Sequence, residues 1–144
     1  IAAVRGVPGV AYYCASKWAV EGLSEALAGE VAPFGIGVLV VEPGAFRTEF
    51  YGRSLLLPDN RIPAYEGAEA IRKMSSEQDG AQAGDPKRAA TVIVDTAFAE
   101  KPPLRLILGR KVWPSAEASI KARLADMEFS RELSETCDFP VETA

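Results

Sequence analysis

The longest regular pattern of apolar positions lies near the start of the chain. Apolar side chains recur there close to every fourth position, at Trp18, Leu23, Leu27 and Val31. Glutamates occupy the positions between them, so one side of the segment is polar. This spacing predicts an α-helix over about residues 10–32, and Pro33 and Gly35 supply its stop.

Two continuous apolar runs are of strand length. They are Ile36–Val41 (IGVLVV) and Leu104–Leu108 (LRLIL). Unbroken apolar runs are typical of parallel strands that are covered on both faces. Asp85-Pro86 lies between them as a helix start, with a capping carboxylate before a proline, and the helix is expected to reach about Ala99. The order strand–helix–strand predicts parallel pairing with a right-handed crossover.

The connection over residues 45–84 shows little periodicity, and a connection of this length usually forms a functional lid. We predict a substrate lid there, with a short helix over Tyr65–Met74 and a mobile linker over Ser75–Gly84. We predict a C-terminal helix and tail over residues 112–144. The helix starts at Trp113-Pro114-Ser115 and ends near Glu135, and the tail is expected to fray after Cys137.

These elements predict an α/β fold. Two buried parallel strands alone make a poor domain, because each needs neighbours along its edges. We therefore expect the chain to be the C-terminal part of a doubly wound parallel sheet, with two parallel strands, flanking helices and the lid. It begins at Ile1 rather than at a methionine, which suggests the interior of a longer protein.

The composition of the chain excludes several kinds of binding surface and catalytic site. A net charge of −4 argues against nucleic-acid and anionic-membrane surfaces, and no apolar run approaches the roughly 20 residues of a membrane span. Two cysteines are too few for a disulfide framework and indicate a reducing, cytoplasmic setting. Histidine is absent, so no His-based triad or metal site is predicted, and proton transfer falls to Tyr, Lys, Asp or Glu.

Tyr13 and Lys17 are four residues apart, which places them on one face of the predicted helix. A free phenol titrates near ~10, and a nearby ammonium lowers that pKa, so the pair suits a general acid/base. The spacing alone is weak, since it occurs by chance in many helices. Tyr12 is the competing phenol, but its partner at the same spacing is Ser16, which carries no charge.

The Pro43-Gly44 turn directly follows the first predicted strand. In open α/β sheets, ligands bind beyond the carboxyl ends of the strands, so a cofactor is expected at this turn. A plain turn is the alternative.

Together these motifs resemble the short-chain dehydrogenase/reductase family. The resemblance rests on Tyr-Cys-Ala-Ser-Lys at 13–17, Pro-Gly-Ala-Phe-Arg-Thr at 43–48, Gly-Asp-Pro at 84–86 and the strand that ends at Gly109. It implies a partial NAD(P)-binding Rossmann-type domain over residues 1–144. It also implies an oxidoreductase that interconverts a carbonyl and an alcohol by hydride transfer.

The resemblance implies a role for each matching residue. Tyr13 would be the catalytic acid/base, and Lys17 would bind the nicotinamide ribose and lower the tyrosine pKa. The residues expected to bind NAD or NADP are Tyr13, Lys17, Pro43, Gly44, Phe46 and Thr48. The residues expected to line the substrate pocket are Tyr12, Ala45 and Phe50.

Part of the family's machinery is missing from this sequence. The family's serine falls about a dozen residues before Tyr13, at or before Ile1, and its glycine-rich phosphate turn also precedes this region. The resemblance therefore implies half of a site, inactive by itself, and a homodimer or homotetramer for the full-length protein. Its partner would be a small carbonyl or alcohol substrate. The alternatives are an extended-type epimerase or dehydratase, and a non-catalytic relative that serves in oligomer assembly.

Overall fold

The computed structural model describes residues 1–139. Its helices and strands are, in chain order, α1 (Ala11–Val31), β1 (Val40–Pro43), α2 (Glu66–Gln78), α3 (Pro86–Ala97), β2 (Arg105–Leu108), α4 (Val112–Phe129) and α5 (Arg131–Glu135). A 3₁₀ turn, Ala32–Phe34, follows α1. The part of the predicted tail over residues 140–144 lies outside the described residues.

Helix α1 confirms the first prediction. Gly35 stops the chain in the left-handed region, at φ 71°, and its N–H donates to the Ala32 carbonyl. Glycine adopts this conformation without the steric cost that a Cβ would add, so it ends the helical segment cleanly.

Strands β1 and β2 are parallel, as predicted, and Val40 pairs with Arg105 while Pro43 pairs with Leu108. The first strand starts at Val40 rather than at Ile36, so this part of the prediction was wrong. The reason lies in its partner: the Val40 N–H donates to the Leu104 carbonyl, and the residues before Leu104 are Pro102 and Pro103. Proline lacks an N–H and has a fixed φ, so a segment with two prolines is a poor continuation of a strand.

Residues 45–84, which were predicted to form a lid and are called the lid below, are more ordered than predicted. Helix α2 continues to Gln78, and Ser75 and Gln82 are both buried. Gly84 pairs with Phe46 in an isolated parallel bridge. The prediction of a mobile linker over Ser75–Gly84 was therefore wrong. Contacts with the segment after β1 hold these residues in place, and such contacts leave no periodic pattern in the sequence.

The helices on either side of β2 begin largely as predicted. The Asp85 side chain caps α3 by accepting hydrogen bonds from the Lys87 and Arg88 N–H groups. The final helix is broken at Ser130 into α4 and α5, which the sequence did not predict. The hydroxyl and the N–H of Ser130 both donate to the Met127 carbonyl, and such local bonds compete with a continuous helix.

The buried apolar residues within 1–139 are small: Ala2, Cys14 and Ala116. Larger apolar side chains on the helices stay open to solvent, among them Leu23 on α1 and Leu124 on α4. This exposure fits a sheet that has only part of the strands a doubly wound domain requires. No helix in the described part of the chain is long and apolar enough to cross a membrane.

Candidate active site

Helix α1 brings the phenol of Tyr13 and the ammonium of Lys17 together. The Lys17 Nζ lies 5.4 Å from the centre of the Tyr13 ring, over its face. A cation over an aromatic face is held by the ring's quadrupole, at roughly 0.5–1 kcal/mol where solvent reaches it. The helical spacing therefore produces the expected proximity.

The pKa of Tyr13 differs from the expectation. Burial is the largest influence and raises the pKa above its ordinary value of 10.0, and Tyr51 and Cys14 add to the rise. The sequence reasoning expected Lys17 to lower it. The difference follows from geometry, because the ammonium lies over the ring while the phenol is partly removed from water.

Aromatic residues from the start of the lid approach Tyr13. The Phe50 ring lies 6.0 Å from the Tyr13 ring at an interplanar angle of 52°, and the Tyr51 ring lies 5.2 Å from Phe50. These are favourable separations for aromatic pairs. Phe50 was predicted to line the substrate pocket, whereas Tyr51 was not assigned to the site. The signal in the sequence was the position of Tyr51 directly after Phe50, which was predicted to line the pocket.

The turn after β1 packs closely on the next elements. The Gly44 N–H donates to the Leu108 carbonyl at 2.8 Å, which extends the pairing of the two strands past Pro43. A Cβ on Gly44 would overlap the Val112 side chain at the start of α4. Glycine is therefore required here by close approach, and the turn is held at the carboxyl end of both strands.

Residues 45–48, which follow that turn, are fixed by the end of the lid. The Arg47 N–H donates to the Gly84 carbonyl at 2.9 Å, and the Gly84 N–H donates to the Ala45 carbonyl at 3.1 Å. The Arg47 guanidinium donates to the Gln82 carbonyl at 3.2 Å. The Thr48 hydroxyl accepts from the Phe50 N–H at 3.4 Å and is exposed. The segment thus has backbone hydrogen bonds to Gly84 on one side. It carries Phe46 and Thr48, which were both predicted to bind a cofactor.

The lid also touches the loop before α1. The backbones of Gly9 and Gly67 approach so closely that a Cβ on Gly9 would lie 2.5 Å from the Gly67 carbonyl oxygen. Gly9 also has a positive φ of 87°, which a larger residue would adopt only with strain. This contact anchors the start of α2 a few residues from Tyr13.

Tyr12, the competing phenol, is open to solvent. It is 94% exposed and packs against little of the described chain. Ser16 donates its hydroxyl to the Tyr13 carbonyl at 2.7 Å, as a surface hydroxyl on a helix does. Cys14 is buried and serves as a packing residue.

A charged cluster behind the site was not predicted. Arg105 on β2 donates from Nε to the Glu21 carboxylate and from Nη2 to Glu25, the second bond at 2.6 Å. Glu42, at the end of β1, is buried close by. The short apolar runs that predict the strands carry no signal of which charged side chains will meet.

The fold and these motifs match known proteins. A family model described as short chain dehydrogenase matches residues 1–55, which contain Tyr13, Lys17 and the turn after β1. A solved short-chain dehydrogenase from Streptomyces avermitilis is similar at a TM-score of 0.82 and 38% identity, over 96% of this chain. The chain belongs to the short-chain dehydrogenase/reductase family.

Similarity to this family extends to curated relatives. The oxidoreductase BOA17 of Botryotinia fuckeliana is 35% identical over 129 residues, which are 90% of this chain and 47% of that protein. A 3-ketodihydrosphingosine reductase of Bacteroides thetaiotaomicron is 36% identical over 113 residues, 76% of this chain and 41% of its own length. The chain also covers 50% of the solved short-chain dehydrogenase. It therefore spans about half the length of these relatives, and the predicted partial Rossmann-type fold is confirmed.

Tyr13 and Lys17 on α1 and Thr48 after β1 carry donor groups whose chemistry suits one end of the dinucleotide that short-chain dehydrogenases use. The Tyr13 hydroxyl and the Lys17 ammonium suit ribose hydroxyls, and the Thr48 hydroxyl suits an amide or a phosphate. Tyr13, Lys17 and Thr48 are all exposed, so protein packing does not block them. The sequence has no glycine-rich strand-to-helix turn for the pyrophosphate. The donors in this chain thus suit the nicotinamide end of the dinucleotide but not its pyrophosphate.

Proposed function

We propose that the full-length protein is an NAD(P)-dependent oxidoreductase that interconverts a carbonyl and an alcohol, with Tyr13 as general acid/base. The observation that carries the proposal is the Tyr13–Lys17 pair, with the ammonium 5.4 Å from the ring centre. Membership of the short-chain dehydrogenase/reductase family supports it. NAD and NADP both remain candidates as the cofactor, because the residues that would discriminate between them precede this region in the family.

The proposed proton transfer occurs at the Tyr13 hydroxyl. Bound NAD(P)H supplies a hydride to the carbonyl carbon. Tyr13 donates its proton to the carbonyl oxygen during reduction, and its phenolate takes the hydroxyl proton during oxidation. The role proposed for Lys17 is to favour the phenolate through its positive charge. Burial, Tyr51 and Cys14 act in the other direction and raise the pKa of Tyr13.

The remaining site residues are proposed to position the reactants. Pro43 and Gly44 would lie beside the nicotinamide, and the backbone of Phe46 and the hydroxyl of Thr48 would meet its carboxamide. The bridge to Gly84 supports this role, because it holds the backbone of this segment in one conformation. The proposed substrate-pocket residues are Ala45, Phe50 and Tyr12. Of these, Phe50 is supported by its contact with Tyr13.

An apolar ketone or alcohol is the proposed substrate class. Support comes from the apolar side chains that the lid presents to solvent, Phe50, Leu56 and Leu57 among them. The name of the 3-ketodihydrosphingosine reductase, which indicates reduction of a ketone, agrees with this class. The oxidoreductase names of the relatives favour this reaction over epimerisation or a purely structural role.

Replacing Phe50 with alanine tests the pocket. Loss of the ring next to Tyr13 should raise KM for an apolar ketone about tenfold, or about 1.4 kcal/mol, with a smaller change in kcat. The measurement is NAD(P)H oxidation by the full-length protein against a series of ketones of increasing chain length. Phe98→Ala is the matched control, because Phe98 is 87% exposed at the end of α3. Equal KM values for the two variants would remove Phe50 from the pocket.

We also propose a cellular setting and an oligomeric state. Cys14 and Cys137 are both free thiols, which suits the reducing cytoplasm. A homodimer or homotetramer is proposed for the full-length protein from the small and exposed residues along α1, such as Gly22, where a Cβ would meet nothing.

A further inference from the structure

A single arginine joins helix α1 to the sheet. Arg105, the first residue of β2, donates from Nε to the Glu21 carboxylate and from Nη2 to the Glu25 carboxylate, the second bond at 2.6 Å. Within residues 1–139, these are the side-chain hydrogen bonds that connect α1 to the two strands. The Glu21 side chain is 12% exposed, whereas that of Glu25 is 62% exposed. Solvent therefore screens the bond to Glu21 less than an ordinary surface ion pair.

Helix α1 runs in the direction opposite to the strands. Near its start, the Tyr13 ring contacts Phe50, which lies on the segment that follows β1. Further along the helix, Glu21 and Glu25 meet Arg105, where β2 begins. The helix is thus held at one end by an aromatic contact and towards its other end by the guanidinium.

The lengths of the two elements agree with this arrangement. Glu21 lies eight residues after Tyr13, which is about 12 Å along a helix. Arg105 lies three residues before Leu108, which is about 10 Å along a strand. Leu108 pairs with Pro43, and its carbonyl accepts from the N–H of the next residue in the turn, Gly44. A helix that is anchored at Arg105 therefore places Tyr13 level with the turn after β1.

The spacing of the carboxylates allows the arginine only one position along α1. Lys17, Glu21, Glu25 and Gly29 follow each other at intervals of four residues, so they form one row on the helix surface. A slide of one turn in one direction would bring Lys17 beside Arg105, and two cations would repel each other. A slide in the other direction would replace a carboxylate with Gly29, which has no side chain to accept a bond. The two bonds are made together only in the observed register.

We propose that Arg105 is a positioning residue for the reaction assigned to Tyr13. Its bonds to Glu21 and Glu25 set the register of α1 along the sheet, and this register places the Tyr13 hydroxyl beside the turn after β1. Arg105 lies at the opposite end of the strand pair from that turn, so it acts only through the helix. The catalytic part of this inference rests on the proposed function, whereas the anchoring of α1 does not.

Arg105→Lys tests the proposal in the full-length protein. Lysine keeps the positive charge beside the buried Glu21, but its single ammonium cannot reproduce the planar guanidinium that binds two carboxylates at once. Alanine is the less suitable replacement, because it would leave Glu21 buried without a cation and threaten the fold. R105K should lower kcat for an apolar ketone about tenfold at saturating nucleotide, because a small displacement of a proton-transfer group slows the reaction.

A double-mutant cycle with Tyr13→Phe separates positioning from damage to the fold. In the Y13F protein, R105K should change kcat by less than about twofold, because the residual reaction does not use the phenol. A loss of folded enzyme would instead lower kcat by the same factor in both backgrounds. Equal losses in the two backgrounds would overturn the positioning role.

Arg131→Lys is the matched control. Arg131 binds Glu128 at 2.6 Å, the same distance as the Arg105–Glu25 bond, but it connects α5 to α4 and does not bind α1. R131K should keep kcat within about twofold of the wild type. A kcat in R105K as high as that in R131K would also overturn the positioning role.

Hydrogen exchange tests the anchoring of α1 without any assay of activity. In R105K, the amides of Ala11–Val31 should exchange about tenfold faster than in the wild type, while those of Pro86–Ala97 in α3 keep their rates. Unchanged exchange in α1 would overturn the anchor and the positioning role with it. Faster exchange in α1, with a wild type that reduces no ketone with either nucleotide, would support the anchor and count against the proposed function.

Discussion

Tyr13→Phe should reduce kcat of the full-length protein by about 10²–10⁴-fold while leaving the affinity for NAD(P)H nearly unchanged. Phenylalanine keeps the ring that packs at 6.0 Å from Phe50 and lies under the Lys17 ammonium, so the fold and the cation contact persist. It removes only the hydroxyl that donates or takes the proton. Steady-state reduction of an apolar ketone gives kcat, and nucleotide fluorescence titration gives the affinity.

The matched control for this change is Tyr65→Phe. Tyr65 is 65% exposed at the start of α2, and removal of its hydroxyl should leave kcat within about twofold. If Tyr13→Phe retains a rate close to that of Tyr65→Phe, then Tyr13 is not the acid/base, and another group must transfer the proton.

Lys17→Ala should weaken both nucleotide binding and turnover. The ammonium is proposed to bind the ribose hydroxyls, and a lost hydrogen bond to a charged group costs roughly 1.5–3 kcal/mol, or about 10–100-fold in the dissociation constant. Removal of the positive charge near Tyr13 also raises the pKa of its phenol further. The acidic limb of the pH–rate profile for alcohol oxidation, where Tyr13 becomes protonated, should therefore move up by about one pH unit.

A lysine in a comparable exposed setting provides the control. Lys121 on α4 pairs with Glu117 at 2.6 Å and is remote from Tyr13 in the sequence, so Lys121→Ala should change neither nucleotide affinity nor the pH profile. An unchanged NAD(P)H affinity in Lys17→Ala would contradict the ribose role, and an unchanged pH profile would contradict the electrostatic role.

Local signals in the sequence were sufficient for most elements of the fold. The helix of Ala11–Val31 follows from its apolar spacing and its glycine stop, and Asp85-Pro86 marks the start of α3 through a cap that the structure contains. Parallel pairing follows from the order of two short apolar runs around that helix. In each case a few neighbouring residues determine the conformation.

The remaining features depend on contacts between distant residues. The late start of β1 is set by Pro102 and Pro103, about sixty positions further along the chain. The order at the end of the lid comes from the bridge between Phe46 and Gly84. Neither contact leaves a periodic pattern in the sequence, so local reasoning predicted a longer strand and a mobile linker.

The same distinction applies to the candidate site. Helical spacing brings Tyr13 and Lys17 together, because both residues belong to one element. The rise in the pKa of Tyr13 was not predicted, since it comes from burial and from Tyr51 on another segment. The cluster of Glu21, Glu42 and Arg105 likewise joins one helix to two strands. The spacing in the sequence thus locates the Tyr13–Lys17 motif, whereas contacts between distant residues determine the charged groups and the pKa values around it.

Transfer of isotope from the nicotinamide to the substrate tests the central claim most directly. The full-length protein is incubated with an apolar ketone and NADH or NADPH that carries deuterium at both C4 positions, and the alcohol product is analysed by mass spectrometry. The account predicts one deuterium on the carbinol carbon, and a loss of product in Tyr13→Phe that parallels its loss of kcat. An alcohol free of deuterium, or no alcohol with any apolar ketone and either nucleotide, would contradict it.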